Sequence, residues 1–439
     1  MNLIKRELCS YFMPEDIVNR LCNEYGEQGL VWLDGNIKNK SSEIIIGVNP
    51  KQEICTHGIA HKNNPFNKLN NIGEGYWIGW LSYEAGAFLE PKNPWRLDEM
   101  ATLWIGKYDP IIRFNNLRKK IFIEGTNQDE IDRYYRIISE INAIKEEENI
   151  NDRINSFNKI TFDNWRWLSN KNEFESGVEK IKDLIKEGDI FQANLSTACI
   201  RNSINIFSPL SMYLKIRKNI IAPFSGLINA NNRAIGESII STSPERFISL
   251  NKTNEIETRP IKGTRPRSKD IIKDNYNAIE LVTSTKDRAE NIMIVDLLRN
   301  DLSKVSKLGS IWTPELLKLE RYHNVHHLTS VIKSTLKEDK NWVDLLKSCW
   351  PGGSITGAPK LRACERLFEL EKIARGPYCG SFLKKEWDGS FDSNILIRSI
   401  LIKDQKIRIH AGCGIVSDSI PSEEIQELKW KIEPLIKSI

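Results

Sequence analysis

The sequence predicts a globular body that mixes strands and helices, and three observations carry that prediction. Residues 1 to about 125 alternate short apolar and aromatic runs with turn residues. Apolar residues recur at helical spacing from about residue 170, and a strand-like alternation follows from Ile190. The 439 residues are 40% hydrophobic and 28% charged, enough to bury a sizeable core and too apolar for a disordered chain.

Taken in order, Gly29-Leu30-Val31-Trp32-Leu33 and Ile44-Ile45-Ile46-Gly47-Val48 read as strands. Gly75-Tyr76-Trp77-Ile78-Gly79-Trp80-Leu81, aromatic and punctuated by glycine, reads as a buried strand beside a close backbone contact. Residues 126 to 162 are acidic and Asn-rich, and read as a surface helix and connector. Phe174, Val178, Ile181, Leu184 and Ile185 mark a helix that Gly188 ends. In the next strand Gln192, Asn194 and Ser196 share one face and Phe191, Ala193 and Leu195 the other, so the polar face meets either solvent or the floor of a site.

Several function classes are excluded early. The net charge is +5, from 63 basic and 58 acidic residues, with no basic block interleaved with aromatics, so nucleic-acid binding is unsupported. The eight cysteines include no C-x-x-C pair, which points to reduced, structural thiols. The start leads from Arg6 into Glu7 without an apolar h-region, and no stretch reaches the roughly 18 apolar residues of a membrane span. A cytoplasmic location is expected.

Four later segments are dense in groups that do chemistry. The first joins Ser243-Pro244-Glu245-Arg246-Phe247 to Glu257-Thr258-Arg259-Pro260-Ile261-Lys262-Gly263-Thr264-Arg265. It sets Lys262 on a rigid turn near a carboxylate, as a base, a nucleophile or simply an exposed lysine. The second, Lys286 to Asp301, is a helix that puts Asp287 and Glu290 on one face. The third, Pro351 to Lys360, is Gly-rich but fails the phosphate-loop spacing. Its Pro359 fits the first position of a helix, so the loop can offer N–H groups and the hydroxyls of Ser354 and Thr356 to an anion. The fourth begins at Ser422, a candidate N-cap, and pairs Glu424 with Glu427. Two such acid pairs, converging, would suit Mg²⁺ better than zinc. Either pair alone is an ordinary wet helix face. His410-Ala411-Gly412-Cys413-Gly414-Ile415 is a second Gly loop, with Cys413 read as a small packed residue. In the cluster of His323, His326 and His327, a single catalytic or hydrogen-bonding histidine is more economical than a metal site.

Together, and in this order over about residues 170 to 435, these segments resemble the chorismate-utilising enzymes. The resemblance implies an α+β fold in which two antiparallel sheets pack face to face, flanked by helices. An N-terminal region (1–150) and a chorismate-binding catalytic domain (165–439) would form one body. It implies Mg²⁺ held by Glu290 and Glu427, with Asp287 and Glu424 as outer or water-mediated partners. Glu245 would be the general acid/base and His327 the catalytic-site histidine. Arg398, Tyr378, Lys431 and the Gly412 and Gly414 backbone would hold substrate carboxylates, and Ser354, Thr356, Gly263, Thr264 and Gln192 would line the same pocket.

Two positions choose among the family's reactions. Water-adding relatives place a lysine where this chain has Gln192, and anthranilate-forming relatives read Pro-Ile-Ala-Gly-Thr where this chain has Lys262. The resemblance is therefore nearest the branch that aminates chorismate at C4 to 4-amino-4-deoxychorismate, for para-aminobenzoate and folate synthesis, with Lys262 as a covalent nucleophile that must be neutral to attack. Anthranilate formation is the alternative, and a non-catalytic chorismate-binding relative a remote one. With no glutaminase elbow in the sequence, ammonia is expected from a separate glutamine amidotransferase subunit. No pyruvate-removing lyase module is seen. Leu33-Asp34-Gly35 stands where anthranilate-forming relatives carry a tryptophan-inhibition motif, which argues against tryptophan feedback. Cys413 replaces the usual Gly or Ala.

Overall fold

The computed structural model describes residues 3–35, 43–141, 164–203, 207–322 and 325–439. The connector after residue 141 and His323 lie outside them. Within them the chain forms a 12-stranded and a 10-stranded sheet, both antiparallel. The first sheet interleaves early and late strands: Val31–Leu33, from the N-terminal part, hydrogen-bonds to Phe224–Asn229, which begins the run of later strands that passes through Gln192–Asn202 and ends at Gly357–Ala358. The second places Tyr76–Leu81 beside Ser381–Lys385.

Strand periodicity explains why the sheets stack. Along the first sheet Val31, Ile45, Ile228 and Ile239 point into a core shared with the second sheet, where they meet residues such as Trp80, Trp104 and Phe247. Their neighbours Trp32, Ile44, Ile46, Leu227 and Ile240 point the other way, onto helices including Pro14–Tyr25, Lys171–Lys186 and Pro421–Lys437. A sheet buried on both faces needs apolar residues at consecutive positions, and these strands supply them. The aromatic strand Tyr76–Leu81 is wholly buried, and a Cβ on Gly79 would lie 2.0 Å from the Trp104 carbonyl, the close backbone contact its glycine signalled.

Local signals set the helices that carry the site. Asn170 and Glu173 form a capping box that starts Lys171–Lys186. Ser284 accepts from the Asp287 N–H and starts Thr285–Ser303. Two expectations shift by a residue or two. Pro359 is the N-cap rather than the first residue of Lys360–Leu370, and Ile420 rather than Ser422 caps Pro421–Lys437. Among the described residues no helix is long and apolar enough to cross a membrane, and all eight cysteines are free.

Candidate active site

Lys262 lies on a strand rather than a turn. Ile261–Pro266 pairs with Val325–Thr335, opposing Lys262 to Leu328, and the register slips before Thr264. The slip is a bulge at Gly263, whose φ of +78° favours glycine. A Cβ there would lie 2.7 Å from Leu281 Cδ1 and 2.9 Å from Asp287 Oδ1, so the bare backbone lets this strand seat against the acidic helix. Lys262 Nζ donates to the Ser354 carbonyl at 3.2 Å.

The carboxylate beside Lys262 is Glu245, whereas Glu257 pairs with Arg246 at 2.8 Å and Arg259 at 2.9 Å. Glu245 is buried, and burial pushes its carboxyl up to about 7. A hydrogen bond from the Ser354 side chain, the charge of Lys262 and the Ile261 N–H restrain the rise. Ser354 therefore touches both groups, its carbonyl taking the amine and its side chain the acid.

His327 faces the same strand. Its Nδ1 and Thr264 Oγ1 lie 2.9 Å apart in a hydrogen bond. Burial, then the Arg398 charge, lower His327 to about 4, so the ring is neutral near pH 7. Its neighbour His326 is engaged elsewhere, with Nε2 3.0 Å from Asp274 Oδ1.

Of the two acid pairs, Glu290 lies within electrostatic reach of Glu427, while Glu424 and Glu427 form the close cluster. Burial raises Glu290, Lys262 and Lys286 oppose the rise, and Asp287 and Glu427 add to it. Burial also raises Glu424, with Glu427 again adding. Burial works against Glu427 too, but Lys431, Lys286 and Lys262 outweigh it and hold it below the usual range. Lys431 Nζ reaches Glu427 at 2.6 Å and the Gly412 carbonyl at 2.8 Å. Cys413 is buried, donating to the Glu424 carbonyl at 3.3 Å, and its sulfur lies with one oxygen each of Glu424 and Glu427 inside 4.8 Å. Glu427 raises the proton affinity of both Glu290 and Glu424, and neighbouring carboxylates that burden one another in this way are the oxygen donors a hard divalent cation satisfies. Asp287 stands apart from this set, because Arg265 binds it at 2.9 Å.

Around these acids the pocket floor is backbone and amide. A Cβ on Gly414 would lie 2.4 Å from Gln192 Nε2 and 3.8 Å from Glu290 Oε2, so the glycine leaves these two side chains adjacent. Gln192 Oε1 is buried without a partner. Arg398 sits at φ +50°; burial lowers its pKa and Glu427 opposes this. Two further expected site residues make contacts within the protein. The Thr356 hydroxyl donates to the Gly352 carbonyl at 2.9 Å within its own loop. Tyr378 is buried and stacked on His410, with ring centroids 4.9 Å apart. Lys360, at the end of the Gly-rich loop, is buried against Asp301 and the Cys349 carbonyl rather than free for an anion.

Sequence reasoning missed Lys286, which lies 3.7 Å from Glu424, and Arg265, which ties the Lys262 strand to Asp287 and Glu280. Both sit inside the quoted segments, so their position was visible, but their pairing across segments was not. A cavity of about 610 Å³ opens on the far side of the same strands. Pro244, Ile261 and Thr329 line it, next to Glu245 and Lys262 but without them.

Residues 31–437 match the family model described as chorismate binding enzyme. The chain is 33% identical to the anthranilate synthase component I-like protein of Synechocystis sp. over 386 residues, 86% of this chain and 76% of that one. It is 40% identical to aminodeoxychorismate synthase component 1 of Escherichia coli over 275 residues, 62% of this chain and 59% of that one. Among solved structures, anthranilate synthase component I of Streptococcus pneumoniae superposes with a TM-score of 0.75 at 25% identity, covering 90% of this chain and 92% of that one.

Proposed function

This chain belongs to the chorismate-binding enzyme family and is an enzyme that uses chorismate, and we propose that it aminates its substrate at C4 to give 4-amino-4-deoxychorismate. The observation that carries the proposal is the Lys262 amine, held at the Ser354 carbonyl beside the raised carboxyl of Glu245. In the neutral form the amine attacks C2. The two ring double bonds shift toward C4, and the C4 hydroxyl leaves with a proton as water. Glu245, titrating near neutrality, is suited to give that proton and then to take one from incoming ammonia. Ammonia adds at C4, the double bonds shift back and the Lys262 amine departs. Nitrogen thus replaces the hydroxyl on the same carbon.

Arg398 and Lys431 supply cationic groups for the substrate carboxylates, and neutral His327, oriented by Thr264, a hydrogen-bonding partner. Glu290 and Glu427 would hold Mg²⁺, with Glu424 beside them. Bound there, the ion would neutralise the ring carboxylate and ease departure of the C4 hydroxyl. Ammonia would come from a separate glutamine amidotransferase subunit, in the service of para-aminobenzoate and folate synthesis in the cytoplasm.

The test is product identity. Purified protein receives chorismate, Mg²⁺ and ammonium, and the products are separated by chromatography and mass. The proposal expects 4-amino-4-deoxychorismate from the native protein and its collapse in Lys262→Ala. Anthranilate fluorescence as the main native signal, or undiminished aminodeoxychorismate from the variant, overturns it.

A further inference from the structure

Arg375 is a buried cation that no step above uses. Its side chain is 2% exposed, so each of its donors must find a partner inside the protein. Nε and Nη2 hold the two oxygens of Glu371 at 2.9 and 2.7 Å. Nη2 also reaches the Asn194 carbonyl at 2.7 Å, and Nη1 the Ile355 carbonyl at 2.8 Å. Glu371 accepts in addition the Ser196 N–H at 2.9 Å and the Ser196 hydroxyl at 2.8 Å. The pair is thus satisfied on both sides, the condition under which a buried ion pair is tolerable.

The two carbonyls belong to the two segments that floor the site. Asn194 lies two residues beyond Gln192, and Ile355 directly follows Ser354. The same segments are joined by the Asn194 N–H to the Thr356 carbonyl at 2.7 Å and the Phe191 N–H to the Ala358 carbonyl at 2.7 Å. Arg375 is itself fixed from behind. Its backbone N–H and that of Gly376 donate to Glu84 at 2.9 and 3.1 Å, and the Tyr83 ring lies 4.7 Å from the guanidinium carbon.

We propose that Arg375 is a positioning residue for the Lys262–Glu245 pair, acting through Ile355 and Ser354. The Ile355 carbonyl is the point at which the fork grips the loop, and Ser354 one residue earlier carries both contacts to the reacting groups. A planar guanidinium can serve a carboxylate and two carbonyls at once, whereas an ammonium, a point donor on a flexible stem, cannot span them. Placement matters because an attacking atom must wait about 3–3.5 Å from its target, and a misplacement of about 1 Å costs roughly 100-fold.

The inference rests on the C4-amination reading for the role of Lys262, and one experiment separates the two. Native protein, Arg375→Lys and Glu371→Gln receive chorismate, Mg²⁺ and ammonium, while chorismate loss gives kcat and KM and chromatography gives the product. Native product identity judges the amination reading, and the variants' rates judge Arg375. Arg375→Lys keeps a cation beside Glu371, so the protein folds, kcat falls about 10- to 100-fold and KM for chorismate stays within about threefold. A purely structural role would lower the folded fraction instead, leaving kcat per folded molecule unchanged. Folded Arg375→Lys with kcat within twofold of native, or with its loss confined to KM, overturns the proposal. Should Arg375→Lys fail to fold, the near-isosteric Glu371→Gln decides: a kcat loss of threefold or more at unchanged KM supports the proposal, and native kcat overturns it.

Discussion

Replacing Glu245 with glutamine should stabilise the protein at alkaline pH and disable it. Burial holds this carboxyl at about 7, against 4.5 for an ordinary glutamate. At about 1.36 kcal/mol per tenfold change in proton affinity, that corresponds to roughly 3 kcal/mol. The sign follows from proton counts. Below pH 4.5 the folded and unfolded chains both carry the proton, and Glu245 costs nothing. Between 4.5 and about 7 the unfolded chain releases it while the folded chain retains it, so the native state loses stability as pH rises, and above 7 the full penalty persists. Glutamine is neutral throughout and its amide oxygen can still accept from Ser354. Thermal unfolding of both proteins at pH 4.5, 6 and 8.5 should therefore give nearly matching midpoints at the lowest pH and a higher midpoint for Glu245→Gln at 8.5. Turnover of chorismate should meanwhile fall about 10²- to 10⁴-fold with loss of the general acid/base. Equal midpoints at pH 8.5, or a variant less stable there than native, would refute the buried, raised carboxyl.

Three further outcomes follow from the same geometry. Glu290→Gln should weaken Mg²⁺ binding, followed by tryptophan fluorescence, by about tenfold or more, while Asp287→Asn changes it by less than about threefold because Arg265 already occupies that carboxylate; equal losses would contradict this division. Gly263→Ala must place a methyl group 2.7–2.9 Å from Leu281 and Asp287 at a positive φ, so it should cost about 1–3 kcal/mol in stability and lower kcat by at least about tenfold. Lys360→Met should cost roughly 3 kcal/mol, at the low end for breaking a buried pair because Lys304 remains 3.2 Å from Asp301, and adding Asp301→Leu should restore much of it. Denaturant midpoints of the single and double variants check this last outcome.

Much of the site was legible because its chemistry is local in sequence. The Asp287/Glu290 and Glu424/Glu427 spacings fix each acid to a helix face before any folding is known. The buried aromatic strand was announced by Gly75 to Leu81, whereas Lys262, read as a turn residue, lies on a strand bulged at Gly263. The resemblance assigns Thr356 to the pocket lining and Tyr378 to a substrate carboxylate, and the structure adds that the one hydroxyl closes its own loop and the one ring stacks on His410. Side-chain rotation is chosen by whichever partner is nearest in space, and spacing along the chain does not contain it. The helix starts expected at Pro359 and Ser422 shift for a similar cause, since residues one or two apart offer comparable starts and the preceding backbone selects one.

The sequence by itself determined the period of each strand and helix, the family, and which residue types stand in which segments, because these depend on the order of side chains alone. Only the tertiary structure decided the pairings between segments remote in the chain: Glu245 rather than Glu257 beside Lys262, Asp287 given to Arg265, and Arg375 clamping Asn194 to Ile355. Each depends on which strands become neighbours when two sheets close over a common core. Burial there turns an ordinary glutamate into a group that titrates near neutrality.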